Sequence, residues 1–533
     1  MTEEGGREDI KKTLSRFASE DSEGDLDRGF DAGIRSWTDI STRTLKKALI
    51  NSRYLQILIV LTLVGLFLRF YHITFNSLWT DEIYTYFFSK NSFIDIWFVA
   101  TTNDYNPPLF YWIEHFMLYF GNNEFILRFA PAVIGTSTIP LIYFLGKIFL
   151  DRNCGIVMAA LITISPFHIT YSQEARAYTM MLFFLTLALI FFFKALQTNA
   201  VRSWVLFGVF SGFAFWTHFY AIIPVISLFI VALGLNARKI WNEVRFIIPL
   251  IKGALIFFIA SLPLLFVVGK TFHTVTGDAP TWGMQGRAII THCSSIILVN
   301  ARGFSGYYTI FSGYTRFVLI IYFVLFLIGI ITIFMMKRKK AYLLIVMIMI
   351  PLVISWALSY RMPMDPRYLI YLILFYFMGI AAAYIPLFNL GKSKRVIYLF
   401  LLFLIVINIP LLVSYYQAPI KYDYRGLSGM IQEVARPGDI IVLIPGSFNQ
   451  MPFNYYYLNQ SIGIEEYGIE DSIPQLEAIF QQKGEGRIFY VLTYFRSREP
   501  ILEWLENHAI KVDKNLNPST ESAYKDIDLY IST

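Results

Sequence analysis

Long apolar runs separated by short basic clusters fill the chain from residue 54 to residue 416, and polar, charge-mixed segments flank them on both sides. Runs of about 20 apolar residues match the hydrocarbon core of a bilayer, and a helix satisfies its own backbone groups there. The pattern predicts about eleven spanning helices, over 54–75, 126–149, 154–171, 177–197, 203–218, 220–236, 247–269, 314–336, 341–360, 368–388 and 396–416. The stretch 203–236 is read as two elements. A single helix there would be about 50 Å long in a core of about 30 Å, and Trp216-Thr217-His218 with Pro224 supply a break. The short alternating segments of a β-barrel are not visible.

The remaining segments are organised differently. Residues 1–53 form a polar tail with the composition of a flexible segment. Residues 76–125 make a long first loop whose stretches 93–100 and 108–120 are amphipathic and suited to the membrane interface. A second loop, 270–312, offers Trp282, Tyr307 and Tyr308 as interface anchors. Beyond residue 416 the character changes. Segments 439–445 and 488–494 read as buried strands, 528–531 as a last short strand, and 425–434 and 499–507 as amphipathic helices. The fold class is therefore an α-helical polytopic membrane protein with a small carboxyl-terminal α/β domain, 417–533, whose sheet is expected to be largely parallel.

Charge sharpens this picture. Only 16% of residues are charged, against about 25% in a soluble domain. Residues 1–54 hold ten basic and eleven acidic side chains and residues 417–533 hold ten and sixteen, which leaves about +14 in the membrane part. That excess sits in short loops, so it is an orientation signal and not a nucleic-acid surface. Lys46, Lys47, Arg53, Arg152, Lys194, Arg202, Arg238, Lys239, Arg245, the cluster 337–340, Lys392, Lys394 and Arg395 fall on one side when 203–236 is split. The amino terminus is then expected in the cytoplasm, and the α/β domain outside the plasma membrane. The first apolar run begins too far along for a signal peptide. Cys154 and Cys293 make no disulfide framework. His72, His115, His168, His218, His273 and His292 show no metal-ligand spacing. The triplet Asn459-Gln460-Ser461 is a formal glycosylation sequon with no function attached.

Four outside segments carry candidate chemistry. Leu78-Trp79-Thr80-Asp81-Glu82 brings two adjacent carboxylates to the membrane surface, either as a solvated pair capping the next helix or as a proton acceptor. Asn103-Asp104-Tyr105-Asn106-Pro107-Pro108-Leu109-Phe110-Tyr111 is a rigid turn in which proline opens a helix. Tyr171-Ser172-Gln173-Glu174-Ala175-Arg176-Ala177-Tyr178 places an arginine on the side where basic residues are rare. Its partner is Glu174, a lipid head group, or the phosphate of a substrate, which a guanidinium grips with two hydrogen bonds. Arg361-Met362-Pro363-Met364-Asp365-Pro366-Arg367-Tyr368 repeats the anomaly at a second turn.

Taken together, in this order and on one membrane side, these segments resemble the integral-membrane glycosyltransferases of the GT-C fold. The protein O-mannosyltransferase-like, Rgt-type and aminoarabinose-transferase branches are the most similar, over residues 54–415. The resemblance implies that Asp81 is the catalytic carboxylate with Glu82 beside it, and that Asp104, Tyr105, Asn106, Glu174, Arg176, Tyr178, Arg367 and Tyr368 bind substrate. It implies a sugar donor linked to polyprenyl phosphate and a hydroxyl acceptor on a lipid, glycan or protein. No cofactor is implied with certainty; some relatives hold a divalent metal near the carboxylates, so a metal is left open. Asn106 departs from the family pattern, which often has histidine before the prolines. The rival reading, a transporter or flippase of lipid-linked sugars, would bring internal repeats and ionisable residues near the bilayer midplane, and neither is visible.

Overall fold

The computed structural model describes residues 52–102, 106–277, 312–358, 366–391, 395–417, 421–457, 464–470, 472–493, 499–512 and 527–532. The expectations for residues 1–51, Asp104, Tyr105, Trp282, Cys293, Tyr307, Tyr308, Arg361 and the sequon 459–461 lie outside them. The chain divides at Val60. Of the first unit only the opening of helix α1 (Arg53–Phe70) is described, and everything below concerns the second unit, from Leu61 onward.

Three short helices of the first loop follow α1: α2 (Thr80–Ser89), α3 (Phe93–Thr102) and α4 (Leu109–Met117). The apolar runs then become α5 (Glu124–Phe149), α6 (Arg152–Thr163), α7 (Pro166–Ser172), α8 (Tyr178–Thr198), α9 (Val201–Thr217), α10 (Ile222–Asn242) and α11 (Ile248–Gly277). After these come α12 (Ser312–Met336), α13 (Arg338–Leu358), α14 (Leu372–Ala382), α15 (Tyr384–Gly391) and α16 (Arg395–Gln417).

Among the described residues nine helices are long and apolar enough to cross a membrane, or ten when the bent pair α6–α7 counts as one span. Two of the eleven expected runs fall outside this count of straight spans, each for a local reason. The run 154–171 is not one straight helix but bends by 61° at residues 164–165. Pro166 has no N–H to continue the ladder, and Ser165 Oγ caps the new helix by accepting from the His168 N–H at 3.3 Å. The run 203–218 is a separate helix, α9, but has only 17 residues. It ends where His218 turns extended (φ −158°, ψ 130°), so the split of 203–236 falls at the expected place.

Helices pack closely where side chains vanish. A Cβ on Gly208 would run into the carbonyl of Gly253, and one on Gly329 into that of Gly379; small residues let membrane helices approach this way. Side chains tie neighbouring turns together near several of the basic residues. Lys340 donates to the Phe149 carbonyl, Asn199 Nδ2 to Phe246 O at 3.0 Å, and the Tyr384 hydroxyl to Asp151.

The tail domain contains α17 (Tyr424–Val434), β1 (Ile440–Ile444), α18 (Gly446–Tyr456), β2 (Glu465–Gly468), α19 (Ile473–Gln482), β3 (Ile488–Thr493), α20 (Glu499–His508), β4 (Ile510–Lys511) and β5 (Ile527–Ser532). Period-two alternation sends Ile440, Val442 and Ile444 of β1 to a core with Leu476, Ile501 and Leu505. Ile441 and Leu443 point to the other face, against Tyr424, Leu427, Ile431 and Phe453. The strand order is β2-β1-β3-β5-β4. The three-strand part is parallel as expected, but the last strand is antiparallel to β3. The physical reason is β4: it pairs antiparallel with β5, so the chain returns between β3 and β4 in the opposite direction.

This domain is fastened to the first loop. Arg425 donates to Thr74 O at 3.2 Å and Phe75 O at 3.0 Å and pairs with Glu124. Tyr456 OH accepts from the Leu78 N–H at 2.6 Å, and Ser77 Oγ donates to Tyr422 O at 2.6 Å.

Candidate active site

The first carboxylate motif opens helix α2. Trp79 is the extended residue before it (φ −100°, ψ 171°), and Glu82 reaches back so that its Oε2 accepts from the Trp79 N–H at 3.3 Å. A carboxylate in a first turn suits the positive end of a helix dipole. From that start the two acids part company.

Glu82 is fully buried and saturated. Arg128 Nε and Nη2 each donate to it at 2.8 Å, Lys421 Nζ at 2.7 Å, and the Ala175 N–H at 2.9 Å. Burial alone would raise its carboxyl, but Arg128 and then Lys421 outweigh burial and bring it down to about 2. Arg128 also donates to Ile73 O, Asn76 O and Ser77 O at 2.7, 2.8 and 3.0 Å, so one guanidinium pins the approach to the motif.

Asp81 faces the other way. Its side chain keeps 27% of its exposure and pairs with Arg367 Nη1 at 3.1 Å, itself 18% exposed. Arg176 Nη1 donates to the Asp81 carbonyl at 3.3 Å, to Tyr111 OH at 3.3 Å and to Thr85 Oγ1 at 3.5 Å. The Arg367 guanidinium lies 5.0 Å from the Trp79 ring, 5.6 Å from Tyr368 and 5.8 Å from Tyr178. Tyr368 stacks on Tyr220 at 4.7 Å. Glu174 is buried with Lys421 Nζ 3.8 Å away. Burial lifts its carboxyl to about 7 against the pull of Lys421.

A small cleft adjoins this arrangement, lined by Asn106, Pro107, Phe110, Tyr111, Arg176, Ala177, Tyr178, Thr217 and His218. Three separated segments therefore meet at one opening: the proline turn, the turn before α8, and the break after α9. Of the candidate residues, Asp81, Arg176, Arg367, Tyr178 and Tyr368 come together, Asn106 joins the cleft wall, and Glu82 and Glu174 form the closed side.

Sequence reasoning did not single out Arg128, Lys421, Tyr111 or His218 as site residues. Arg128 was findable, being a further arginine at the outer end of an apolar run. Lys421 carries no comparable signal. Among the described residues, no group of three His, Cys, Asp or Glu side chains is placed to hold a metal ion. The acids here already face Arg128, Lys421 and Arg367, so the described residues do not fit a dication.

The crystal structure of ArnT from Cupriavidus metallidurans bound to undecaprenyl phosphate superposes with a TM-score of 0.52, covering 89% of this chain and 98% of that one at 10% identity. The chain has the GT-C fold. The apo form of the same GT-C protein gives 0.53 over 89% and 97%. A family model described as dolichyl-phosphate-mannose-protein mannosyltransferase matches residues 105–266. The STT3B subunit of the Arabidopsis thaliana dolichyl-diphosphooligosaccharide–protein glycosyltransferase is 30% identical over 139 residues, 24% of this chain. The chain matches only 18% of that relative's length.

Proposed function

We propose that this protein transfers a sugar from a polyprenyl-phosphate donor to a hydroxyl acceptor at the outer face of the plasma membrane, with Asp81 as general base. One observation carries the reading. A partly open carboxylate, Asp81, pairs with Arg367, and Arg176, which donates to the backbone carbonyl of the same residue, lines the adjoining cleft. The undecaprenyl phosphate bound by the ArnT of like fold supports a lipid phosphate as the donor's carrier.

In the resting site Arg367 pairs with the Asp81 carboxylate. An entering phosphate competes for that guanidinium and leaves the Asp81 oxygen free to accept a proton. The acceptor oxygen then attacks the anomeric carbon and the carbon–phosphate oxygen bond breaks. The hydroxyl proton passes to Asp81, and polyprenyl phosphate leaves with both electrons of that bond. Configuration inverts, because attack and departure lie on opposite sides. Arg176 and Arg367 stabilise the growing phosphate charge, the fixed electrostatic help that dominates many reactions. Phosphate leaves without a general acid. Glu82, saturated by donors, serves to hold helix α2 in place.

The test is Asp81→Asn in purified, reconstituted protein supplied with a panel of polyprenyl-phosphate sugars. Release of free polyprenyl phosphate should fall by about 10²–10⁴-fold while the variant still folds and binds lipid phosphate. An active variant would remove Asp81 from the role of base.

A further inference from the structure

We propose that Lys421, between the last spanning helix and the α/β domain, is a positioning residue: its ammonium bridges Glu82 and Glu174 and holds the turn that carries Arg176 against helix α2. The inference rests on the reading that Arg176 meets the donor phosphate. Lys421 Nζ lies 2.7 Å from Glu82 Oε2 and 3.8 Å from Glu174 Oε2, and 5.9 Å from the centre of the Trp79 ring. Its side chain is 9% exposed, so the pair is screened little by solvent.

The arithmetic of charge makes the lysine necessary. Glu82 and Glu174 are both buried, and Arg128 spends its donors on Glu82 and on three carbonyls. Glu174 Oε1 has no hydrogen-bond partner, and Lys421 is the cation within ion-pair distance of its other oxygen. Burial raises the Glu174 carboxyl most; Lys421 lowers it, Glu82 raises it, Arg367 lowers it and Asp81 raises it. Removing the ammonium leaves Glu82 with Arg128 and Glu174 with no cation within ion-pair distance among the described residues. A buried carboxyl that the Glu82 charge already raises is not kept ionised without a counter-charge. Glu174 then takes up a proton and loses its ion pair. The turn then keeps the Ala175 N–H bond to Glu82 and the longer Arg176 contacts to Asp81 O and Thr85, but loses its ionic tie. Arg176, two residues beyond Glu174, is held less firmly. The linker that leads into the α/β domain is by this reasoning a part of the site.

The experiment uses the full chain in lipid nanodiscs, with Lys421→Met, Lys421→Arg and the double variant Lys421→Met/Glu174→Gln. Lys421→Met should raise KM for the polyprenyl-phosphate sugar by about ten-fold, with a smaller fall in kcat. The acid limb of its pH–rate profile should move upward, and Lys421→Arg should restore both. Infrared spectra above the Glu174 midpoint of about 7 should show in Lys421→Met added protonated-carboxyl C=O intensity over wild type, and the double variant should lose that added intensity.

A Lys421→Met protein with unchanged KM and pH profile, losing activity only with its folded fraction, overturns the inference. So does a carboxyl band that fails to appear. If wild-type protein releases no polyprenyl phosphate from any donor, the transfer reading falls, and the infrared bands still decide the bridge.

Discussion

Asp81 and Glu82 are neighbours in sequence and face different sides of one helix, an open side and a closed side. The closed side holds a carboxylate with donors from Trp79, Arg128, Ala175 and Lys421. The open side holds a carboxylate whose ion-pair partner, Arg367, keeps some exposure. Chemistry needs a lone pair that can be vacated, and Glu82 has none. The same residue type, one position apart, is saturated or left partly open according to how many donors the fold aims at it, and the base proposed above is the open one.

The comparison breaks most visibly at Glu82. Glu82→Gln leaves Arg128 buried without its counter-charge, a loss of about 3–5 kcal/mol for a broken buried pair. The sign of the pH dependence is fixed. A carboxyl lowered from 4.5 to about 2 on folding stabilises the fold fully above pH 4.5 and loses that contribution as pH falls toward 2. Wild-type Tm should therefore fall across that acid window, and Glu82→Gln should start lower and lack that fall. A variant with wild-type Tm and no activity would exchange the roles of the two acids.

On the open side, Arg176→Ala should lower kcat/KM for the donor by about 10–100-fold, a typical range for a lost oxyanion donor or somewhat below it. Its thermal midpoint should stay near that of wild type, because the lost bonds are 3.3–3.5 Å contacts to Asp81 O, Tyr111 and Thr85. Unchanged donor dependence would take the phosphate away from Arg176.

Much of this division was legible in the chain. Apolar period and length locate most of the spans, and arginines on the side where bases are rare point to Arg176 and Arg367. The same rule reaches Arg128, which hides because it lies inside the apolar run that begins α5. Other features depend on tertiary geometry. Whether Pro166 bends a span by 61° depends on the cap that Ser165 provides. Glu82 and Asp81 have identical local credentials, and only the donors arriving from α5, the turn before α8 and the α/β domain separate them. Lys421 is one lysine in a polar linker until the fold buries it. The antiparallel β5 follows from β4, two residues too short for a periodic signal.

A smaller effect is expected where the closed side meets solvent. Arg425 is 44% exposed, and its pairing with Glu124 is discounted accordingly. Arg425→Ala should cost about 0.5–1 kcal/mol, chiefly the hydrogen bonds to Thr74 O and Phe75 O. Limited proteolysis of the α/β domain should quicken slightly while turnover per folded molecule stays the same. A large loss of turnover would place the open side under the control of this outer contact as well.

The smallest effect sharpens the comparison furthest. Glu114, on α4, is fully buried, and neither of its oxygens has a hydrogen-bond partner. Burial, reinforced by the Glu82 charge, pushes its carboxyl well above the usual range. It is the inverse of Glu82: an acid given no donors, with its carboxyl pushed up instead of down. Its folded midpoint lies above its unfolded one, so it contributes stability at low pH and loses it as pH climbs from about 4.5 through the folded value. Glu114→Gln replaces a neutral acid with a neutral amide of the same shape. Turnover should stay within about two-fold, and Tm at neutral pH should hold or rise. The decline of Tm above pH 4.5 should become shallower, leaving the share that belongs to Glu174, whose midpoint is also raised. A Glu114→Gln protein that loses turnover with its Tm intact would mean that the proton on this acid is used, and the reactive side of the helix would then extend to α4.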